Sequence, residues 1–313
     1  MTMASVIQVK NISKDFREVK AVDNLSFSVE AGQVYGFLGQ NGAGKSTTIR
    51  MLLTLIRPTS GEIEIFGMNL FRHRKEILRQ VGAIIERPDL YKYLSALENL
   101  RIFAAMSGVN IAETKLKEQL EKVGLAERIH SKVKTYSQGM KQRLGIAVAL
   151  VHDPQLIILD EPTNGLDPQG IADIRNLILH LSKDLGKTLL ISSHLLSEME
   201  LIADSMLIID KGKKIIEGKV NELFDPAETV VELKTTDDDL AYQKMQQSDV
   251  KKYLAEKRID CITLKLHRNE IPVVIKEIVQ MNIDVISFYS KHSLEDYFLS
   301  LTTGQPHAKV IAN

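Results

Sequence analysis

The chain has 313 residues, of which 44% are hydrophobic and 26% charged, an ordinary composition for a globular protein. Its 40 basic and 40 acidic residues give zero net charge, which argues against a nucleic-acid binder, since such proteins are usually basic. The single Cys261 excludes an internal disulfide, and no stretch approaches the roughly 18 apolar residues of a membrane span.

Short apolar strands alternate with helices along the first two-thirds of the chain. The predicted strands lie at residues 5–9, 25–29, 34–38, 63–66, 156–159, 188–192 and 206–209, with a helix at about 45–56. Residues 90–151 carry apolar side chains at helical spacing and are predicted to form a helical insert. This alternation implies an α/β fold, with a mostly parallel sheet covered on both faces.

A glycine-rich loop, GQNGAGKS at residues 39–46, joins the third strand to the helix that follows it. It matches G-x-x-x-x-G-K-S, the loop of nucleotide triphosphatases whose backbone N–H groups converge on a phosphate. Lys45 supplies a charge for the β and γ phosphates, and the Ser46 hydroxyl suits Mg²⁺. The loop therefore predicts ATP and Mg²⁺ as cofactors, with ATP held by Asn41, Gly42, Ala43, Gly44, Lys45, Ser46 and Thr47.

Two carboxylates, Asp160 and Glu161, follow the apolar run at residues 156–159. Open α/β sheets bind ligands at the carboxyl ends of their strands, so Asp160 is a candidate Mg²⁺ ligand. Glu161 is a candidate catalytic base that orients and deprotonates the attacking water. The alternative is an ordinary strand that ends in a charged turn.

Between the loop and these carboxylates in the sequence lies the segment Tyr136-Ser137-Gln138-Gly139-Met140-Lys141-Gln142-Arg143. It resembles the signature motif of ABC-type ATPases. That family's Walker B segment and D-loop are similar to Asp160-Glu161-Pro162-Thr163-Asn164-Gly165-Leu166-Asp167-Pro168. Its switch histidine, which follows a strand, is similar to His194 in Ser192-Ser193-His194. The resemblance covers about residues 5–224 and implies a P-loop NTPase with a mixed sheet, whose signature motif lies in the helical insert.

The resemblance also implies roles for individual residues. Family members pair head to tail, so Ser137, Gln138 and Gly139 would serve the ATP held by a second copy of the chain or a homologous ATPase subunit. His194 would be catalytic beside Glu161, and Asp167 would lie at the dimer interface. Phe16 occupies the place of an aromatic residue that stacks on adenine, with Val22 beneath the same ring.

The chain departs from the common family pattern in two places. The signature has Gln138 and Met140 where many members have Gly and Gln. Glu86 stands where the family's Q-loop usually has a metal-binding Gln. A Glu there is similar to the exporters that protect bacteria against lantibiotics and bacitracin, and it predicts a metal site formed by Ser46, Glu86 and Asp160.

A second, small α+β domain is predicted after Asp225-Pro226. The resulting division is an ATP-binding domain at 1–224 with its helical subdomain at about 90–151, an accessory domain at 229–302, and a flexible tail at 303–313. Within the accessory domain the pattern predicts strands at 229–234, 259–267 and 283–288, and helices at 238–256, 271–281 and 293–301.

The sequence therefore predicts the ATP-hydrolysing subunit of an ABC transporter, which would energise export through a separate integral membrane permease. Such a subunit would lie on the cytoplasmic side of the cytoplasmic membrane and have no nucleic-acid partner. The alternative is a soluble ABC ATPase that acts on a macromolecule. Those proteins usually carry two ATP domains, a metal cluster or a long coiled coil, and this chain has one ATP domain, one Cys and no sustained heptads.

Overall fold

The computed structural model describes residues 5–86, 88–223, 229–258 and 261–291. The chain divides into two compact units, Met1–Val220 and Asn221–Asn313. The domain boundary predicted near Asp225, the helix predicted at 293–301 and the tail at 303–313 lie outside the described residues.

The first unit alternates strands and helices. In chain order its elements are β1 (Ser5–Phe16), β2 (Val19–Glu30), β3 (Val34–Leu38), α1 (Lys45–Leu52), β4 (Ser60–Ile65), β5 (Met68–Asn69), α2 (Arg74–Leu78), β6 (Val81–Ile84), α3 (Ala96–Met106), α4 (Glu113–Lys122), α5 (Gln138–Ala149), β7 (Leu156–Asp160), α6 (Pro168–Leu179), β8 (Thr188–Ser193), α7 (Leu196–Glu200), β9 (Ser205–Asp210) and β10 (Lys213–Lys219). The short helix α8 (Val220–Leu223) begins at the last residue of this unit.

A six-stranded sheet in the order β10-β9-β3-β8-β7-β6 forms the centre of this unit. Neighbouring strands are parallel except for β10, which pairs antiparallel with β9. Every residue of β3, β7 and β8 is buried, as expected of parallel strands covered on both faces. The predicted P-loop α/β fold with a mixed sheet is confirmed.

The prediction of one mostly parallel sheet missed a second, antiparallel sheet in the order β2-β1-β4-β5. Its buried face shares a core with the central sheet, and Phe27 of β2 stacks on Tyr35 and Phe37 of β3. Such one-sided burial is typical of antiparallel strands, and the alternation at residues 25–29 is its signal in the sequence. The strands predicted at 5–9 and 25–29 belong to one long hairpin formed by β1 and β2, and they lie at its end away from the turn.

The helical insert consists of three helices with connections between them. The Ser95 hydroxyl accepts from the Glu98 N–H in a capping box and so begins α3. In the same way the Ser137 hydroxyl accepts from the Met140 N–H and begins α5. None of the helices in the described part of the chain has both the length and the apolarity that crossing a bilayer requires.

The second unit is built on an antiparallel sheet in the order β12-β13-β11-β14. Its elements are β11 (Thr229–Thr235), α9 (Asp238–Gln246), β12 (Leu254–Lys257), β13 (Ile262–Leu266), α10 (Ile271–Gln280) and β14 (Val285–Lys291). The helix predicted over 238–256 is wrong beyond Gln246. The Ser248 hydroxyl accepts from the Val250 N–H and starts a separate 3-10 turn, after which residues 254–257 pair with β13.

Candidate functional site

The glycine-rich loop leaves β3 and enters α1 through a backbone that requires glycine. Gly44 has a φ of 106°, and a Cβ there would approach the Ala21 carbonyl oxygen to 2.5 Å. Because Gly44 offers no side-chain cap, the first N–H groups of α1 have no side-chain acceptor. Asn41 and Gly42 are exposed, and Ser46 and Thr47 are half-buried at the start of α1. The loop thus presents backbone N–H groups and a helix N-terminus, an arrangement that binds phosphate.

Lys45 is held at the base of this loop with its side chain only 6% exposed. Its ammonium donates to the Gly39 carbonyl at 2.6 Å and to the Gln40 carbonyl at 3.2 Å. Its Nζ also lies 3.2 Å from Glu161 Oε1, at the distance of an ion pair but without the geometry of a hydrogen bond. The loop lysine and the candidate base are therefore in direct electrostatic contact.

Three neighbouring strands bring the remaining candidate residues together. β8 lies between β3 and β7 and pairs in parallel with both, so the carboxyl ends of all three strands meet at one edge. Asp160 closes β7 and Glu161 follows it, while His194 follows β8. The Nδ1–H of His194 donates to Glu161 Oε2 at 2.8 Å, because a carboxylate can only accept. This contact joins the candidate base to the candidate switch histidine, whose roles stay predictions.

Glu161 adopts a left-handed backbone conformation, with a φ of 50°. For a residue other than glycine this strain costs on the order of 1 to 3 kcal/mol and is common at functional sites. The Glu161 N–H donates to the Ser192 hydroxyl at 2.9 Å, and that hydroxyl donates to Asp160 Oδ1. The sequence patterns assigned no role to Ser192; its place beside Asp160 follows from the register of β7 and β8.

The residues at this edge fit a magnesium ion. Asp160 is buried, and its Oδ2 has no hydrogen-bond partner among the described residues. A buried carboxylate oxygen without a partner is costly unless a cation or a water binds it, and carboxylate and hydroxyl oxygens are ligands that Mg²⁺ prefers. Asp160 and Ser46 stay the predicted ligands of the ion.

Glu86, the third predicted metal ligand, makes a different contact. Its side chain is largely exposed, and Oε1 accepts from Arg50 Nη2 in the last turn of α1 at 2.7 Å. No ion pair or hydrogen bond joins Glu86 to Asp160 or Ser46 in the described part of the chain. Its φ of 60° is left-handed, as for Glu161. A metal-binding role for Glu86 stays a prediction.

The two residues predicted beneath adenine differ in exposure. Phe16 ends β1 and is 49% exposed, with Lys14 Nζ 5.2 Å from its ring centroid. A large exposed aromatic ring is available to stack on a base, and this role of Phe16 stays a prediction. Val22 is fully buried, and a Cβ on Gly44 would lie 3.5 Å from its Cγ2. Val22 therefore packs against the loop, and its place beneath adenine stays a prediction.

The signature residues and Asp167 lie at two adjacent helix N-termini. Ser137 caps α5, Gln138 is exposed and Gly139 is half-buried, while Asp167 caps α6 by accepting from the Gly170 N–H at 3.0 Å. A Cβ on Gly139 would lie 3.9 Å from Gly170 Cα, so the two N-termini pack together. No hydrogen bond or ion pair links residues 137–139 to the loop at 39–46 within the described residues.

Comparison with known proteins identifies the family. The model of a family described as ABC transporter matches residues 22–164, and a model for an AAA domain matches residues 132–200. The bacitracin transport ATP-binding protein BcrA of Bacillus licheniformis is 45% identical over 96% of this chain and 99% of its own length. The chain belongs to the ABC transporter ATP-binding family. The lantibiotic transport ATP-binding protein SrtF of Streptococcus pyogenes is 42% identical over 73% of this chain and 95% of its own.

A solved structure supports the same assignment. The ATP-binding cassette MJ0796, in a dimeric post-hydrolysis state bound to ADP and phosphate, matches with a TM-score of 0.62 and 25% identity over 68% of this chain and 98% of its own. As an ABC transporter ATP-binding protein the chain is an ATPase subunit that binds nucleotide, and such cassettes dimerise and work with a membrane permease. BcrA and SrtF are both named as transport proteins, and nothing in this likeness favours an ABC ATPase that acts on a macromolecule.

Proposed function

We propose that the chain hydrolyses MgATP at the interface of a dimer and energises the export of peptide antibiotics through a separate permease. The proposal of ATP hydrolysis rests on one observation. Four residues, Lys45, Asp160, Glu161 and His194, converge at the ends of three adjacent strands. The export of peptide antibiotics rests on the names of BcrA and SrtF. The subunit would then lie at the cytoplasmic face of the membrane, bound to the permease.

The two oxygens of Glu161 have separate tasks in this proposal. Oε2 accepts from His194, which orients the carboxylate, while Oε1 makes no hydrogen bond among the described residues. Oε1, which lies 3.2 Å from Lys45 Nζ, would accept a proton of the attacking water once the ammonium turns to the bound phosphates. Bound Mg²⁺ would neutralise phosphate charge, and Asp160 and Ser46 would hold it.

The dimer supplies what one subunit lacks. Ser137 and Gly139 present a hydroxyl and a helix N-terminus but have no contact with the chain's own phosphate loop in the described part of the structure. We propose that they bind the γ-phosphate of an ATP held by a partner subunit, with Asp167 at the same interface. The second unit holds none of these residues, and we assign it an accessory role.

Expression with the cognate permease tests this function. We expect cells carrying the wild-type subunit to resist a bacitracin-type or lantibiotic peptide, and cells carrying Lys45→Ala at equal abundance to lose that resistance. The permease should co-purify with both forms, because the substitution lies in the nucleotide site. Equal sensitivity of both strains to both peptide classes would refute export of peptide antibiotics. Co-purification with ribosomes or DNA would instead support the alternative of a macromolecule-directed ATPase.

A magnesium titration tests the predicted role of Glu86. If its carboxylate binds the metal when nucleotide is present, Glu86→Ala should raise the Mg²⁺ concentration for half-maximal hydrolysis by roughly tenfold, and Glu86→Gln less. Export should suffer more than basal hydrolysis in both variants, because the Q-loop also communicates with the permease. Arg50→Gln is the matched control, since it removes the surface ion pair and leaves Glu86 in place. Superimposable titrations with unchanged export would make Glu86 a surface residue only.

A further inference from the structure

A single hydroxyl joins the carboxylate of Asp160 to the backbone N–H of Glu161. Ser192 is fully buried at the end of β8, directly opposite Asp160 in the parallel register. Its Oγ donates to Asp160 Oδ1 and accepts the backbone N–H of Glu161 at 2.9 Å. A serine hydroxyl has one proton to donate, so these contacts leave Ser192 with a single defined orientation.

The first contact decides which oxygen of Asp160 is available. Because Oδ1 accepts from Ser192, the carboxylate cannot rotate freely, and Oδ2 is the buried oxygen without a partner among the described residues. Without the hydroxyl, both oxygens would be equivalent, and the carboxylate would turn towards other donors. Hydrogen bonds from neighbouring residues commonly orient metal-binding carboxylates in this way.

The second contact stabilises the backbone of the base. β7 ends at Asp160, and Glu161 turns out of the strand with a left-handed φ of 50°. Its N–H donates to the Ser192 hydroxyl and so keeps a partner in a partly buried setting. The Glu161 carboxylate is then aimed at Lys45 and His194. The Ser192 side chain thus contacts both the carboxylate of Asp160 and the backbone from which the Glu161 side chain projects.

We propose that Ser192 is a positioning residue that couples the Mg²⁺ carboxylate Asp160 to the catalytic base Glu161. This inference rests on the proposed roles of those two carboxylates. Ser192 does not touch the reacting atoms; it holds Oδ2 of Asp160 towards the metal and the backbone of Glu161 in its turned conformation. Loss of the hydroxyl should therefore weaken Mg²⁺ binding and slow ATP hydrolysis together, beyond any effect on folding.

The test compares Ser192→Ala with Ser192→Thr, which keeps the hydroxyl, in the full-length protein. We expect Ser192→Ala to lower hydrolysis and to raise the Mg²⁺ concentration for half-maximal ATP binding, each by roughly 10- to 100-fold. ATP binding measured in EDTA should stay within about twofold of wild type, because Lys45 and the loop are intact. Ser192→Thr should restore most of the Mg²⁺ response.

Ser182→Ala is the matched control. Ser182 is also buried, and its hydroxyl donates to the Gly32 carbonyl at 3.2 Å, so its loss removes a buried hydrogen bond away from the carboxylates. Urea unfolding should report a similar shift for both alanine variants, and only Ser192→Ala should alter the Mg²⁺ response. If Ser192→Ala does not fold, Ser192→Cys, with a much weaker donor, replaces it and should shift the response in the same direction.

The outcomes separate this inference from the proposed function. If wild-type protein binds and hydrolyses ATP with Mg²⁺ dependence and the folded Ser192 variant gives superimposable curves, the positioning role is refuted. If wild-type protein shows no Mg²⁺-dependent hydrolysis at all, the proposed function itself fails. A Mg²⁺ shift in Ser182→Ala equal to that in Ser192→Ala would reduce the effect to general destabilisation and also refute the inference.

Discussion

Glu161→Gln is expected to lower ATP hydrolysis by on the order of 10²–10⁴-fold while ATP binding survives. The amide keeps the size of the side chain and a hydrogen bond to His194, whose Nδ1 lies 2.8 Å from Oε2, but it cannot accept a proton. The substitution also removes the negative charge 3.2 Å from Lys45 Nζ, so affinity for ATP should be equal to or higher than that of wild type.

Two measurements on purified protein decide this prediction. Phosphate release gives the loss of turnover, and size exclusion with ATP should reveal an accumulated nucleotide-bound dimer. Glu217→Gln is the control, because Glu217 is also a half-buried, ion-paired carboxylate but contacts Lys214 and Tyr35. Near-normal turnover by the Glu161 variant would exclude it as the base. A loss of ATP binding together with turnover would show that its contact with Lys45 mainly supports the loop.

Mixing Lys45→Ala protein with Ser137→Arg protein is expected to restore ATP hydrolysis that neither has alone. Lys45→Ala removes a buried ammonium at the phosphate loop and should weaken nucleotide binding itself. Ser137→Arg blocks the N-terminus of α5. If each site combines the loop of one subunit with the signature of the other, a mixed dimer holds one site damaged twice and one intact site.

Equal mixing should recover at most about one quarter of the wild-type rate, since about half of the dimers would have one intact site of two. The control mixes Lys45→Ala protein with the double variant, a pair that cannot form an intact site. A self-contained monomeric site would be indicated if mixing restores nothing and wild-type hydrolysis stays proportional to protein concentration at high dilution. Stable exchange of subunits can be verified by copurifying two differently tagged copies.

The parts of the site that were predictable depend on local sequence. Gly44 is required by a left-handed backbone at the entrance to α1, and the loop motif states this requirement directly. Ser137 and Asp167 are helix caps, whose chemistry involves residues only three positions away. Local patterns failed where distant pairing decided the outcome. The antiparallel sheet is one case, and residues 254–257, which pair with β13 beyond the true end of the predicted helix, are another.

By itself, the sequence determined the α/β fold and the phosphate loop, because each depends on contiguous residues. Short motifs also pointed to Asp160, Glu161 and His194, the candidate residues at the carboxyl edge of the central sheet. Only the tertiary structure decided how those residues meet. The parallel register sets Ser192 opposite Asp160, and Lys45 contacts Glu161 across more than one hundred residues of chain. The tertiary structure also pairs Glu86 with Arg50 and buries Val22 beside the loop. Such contacts depend on the packing of separate elements, which no local pattern records.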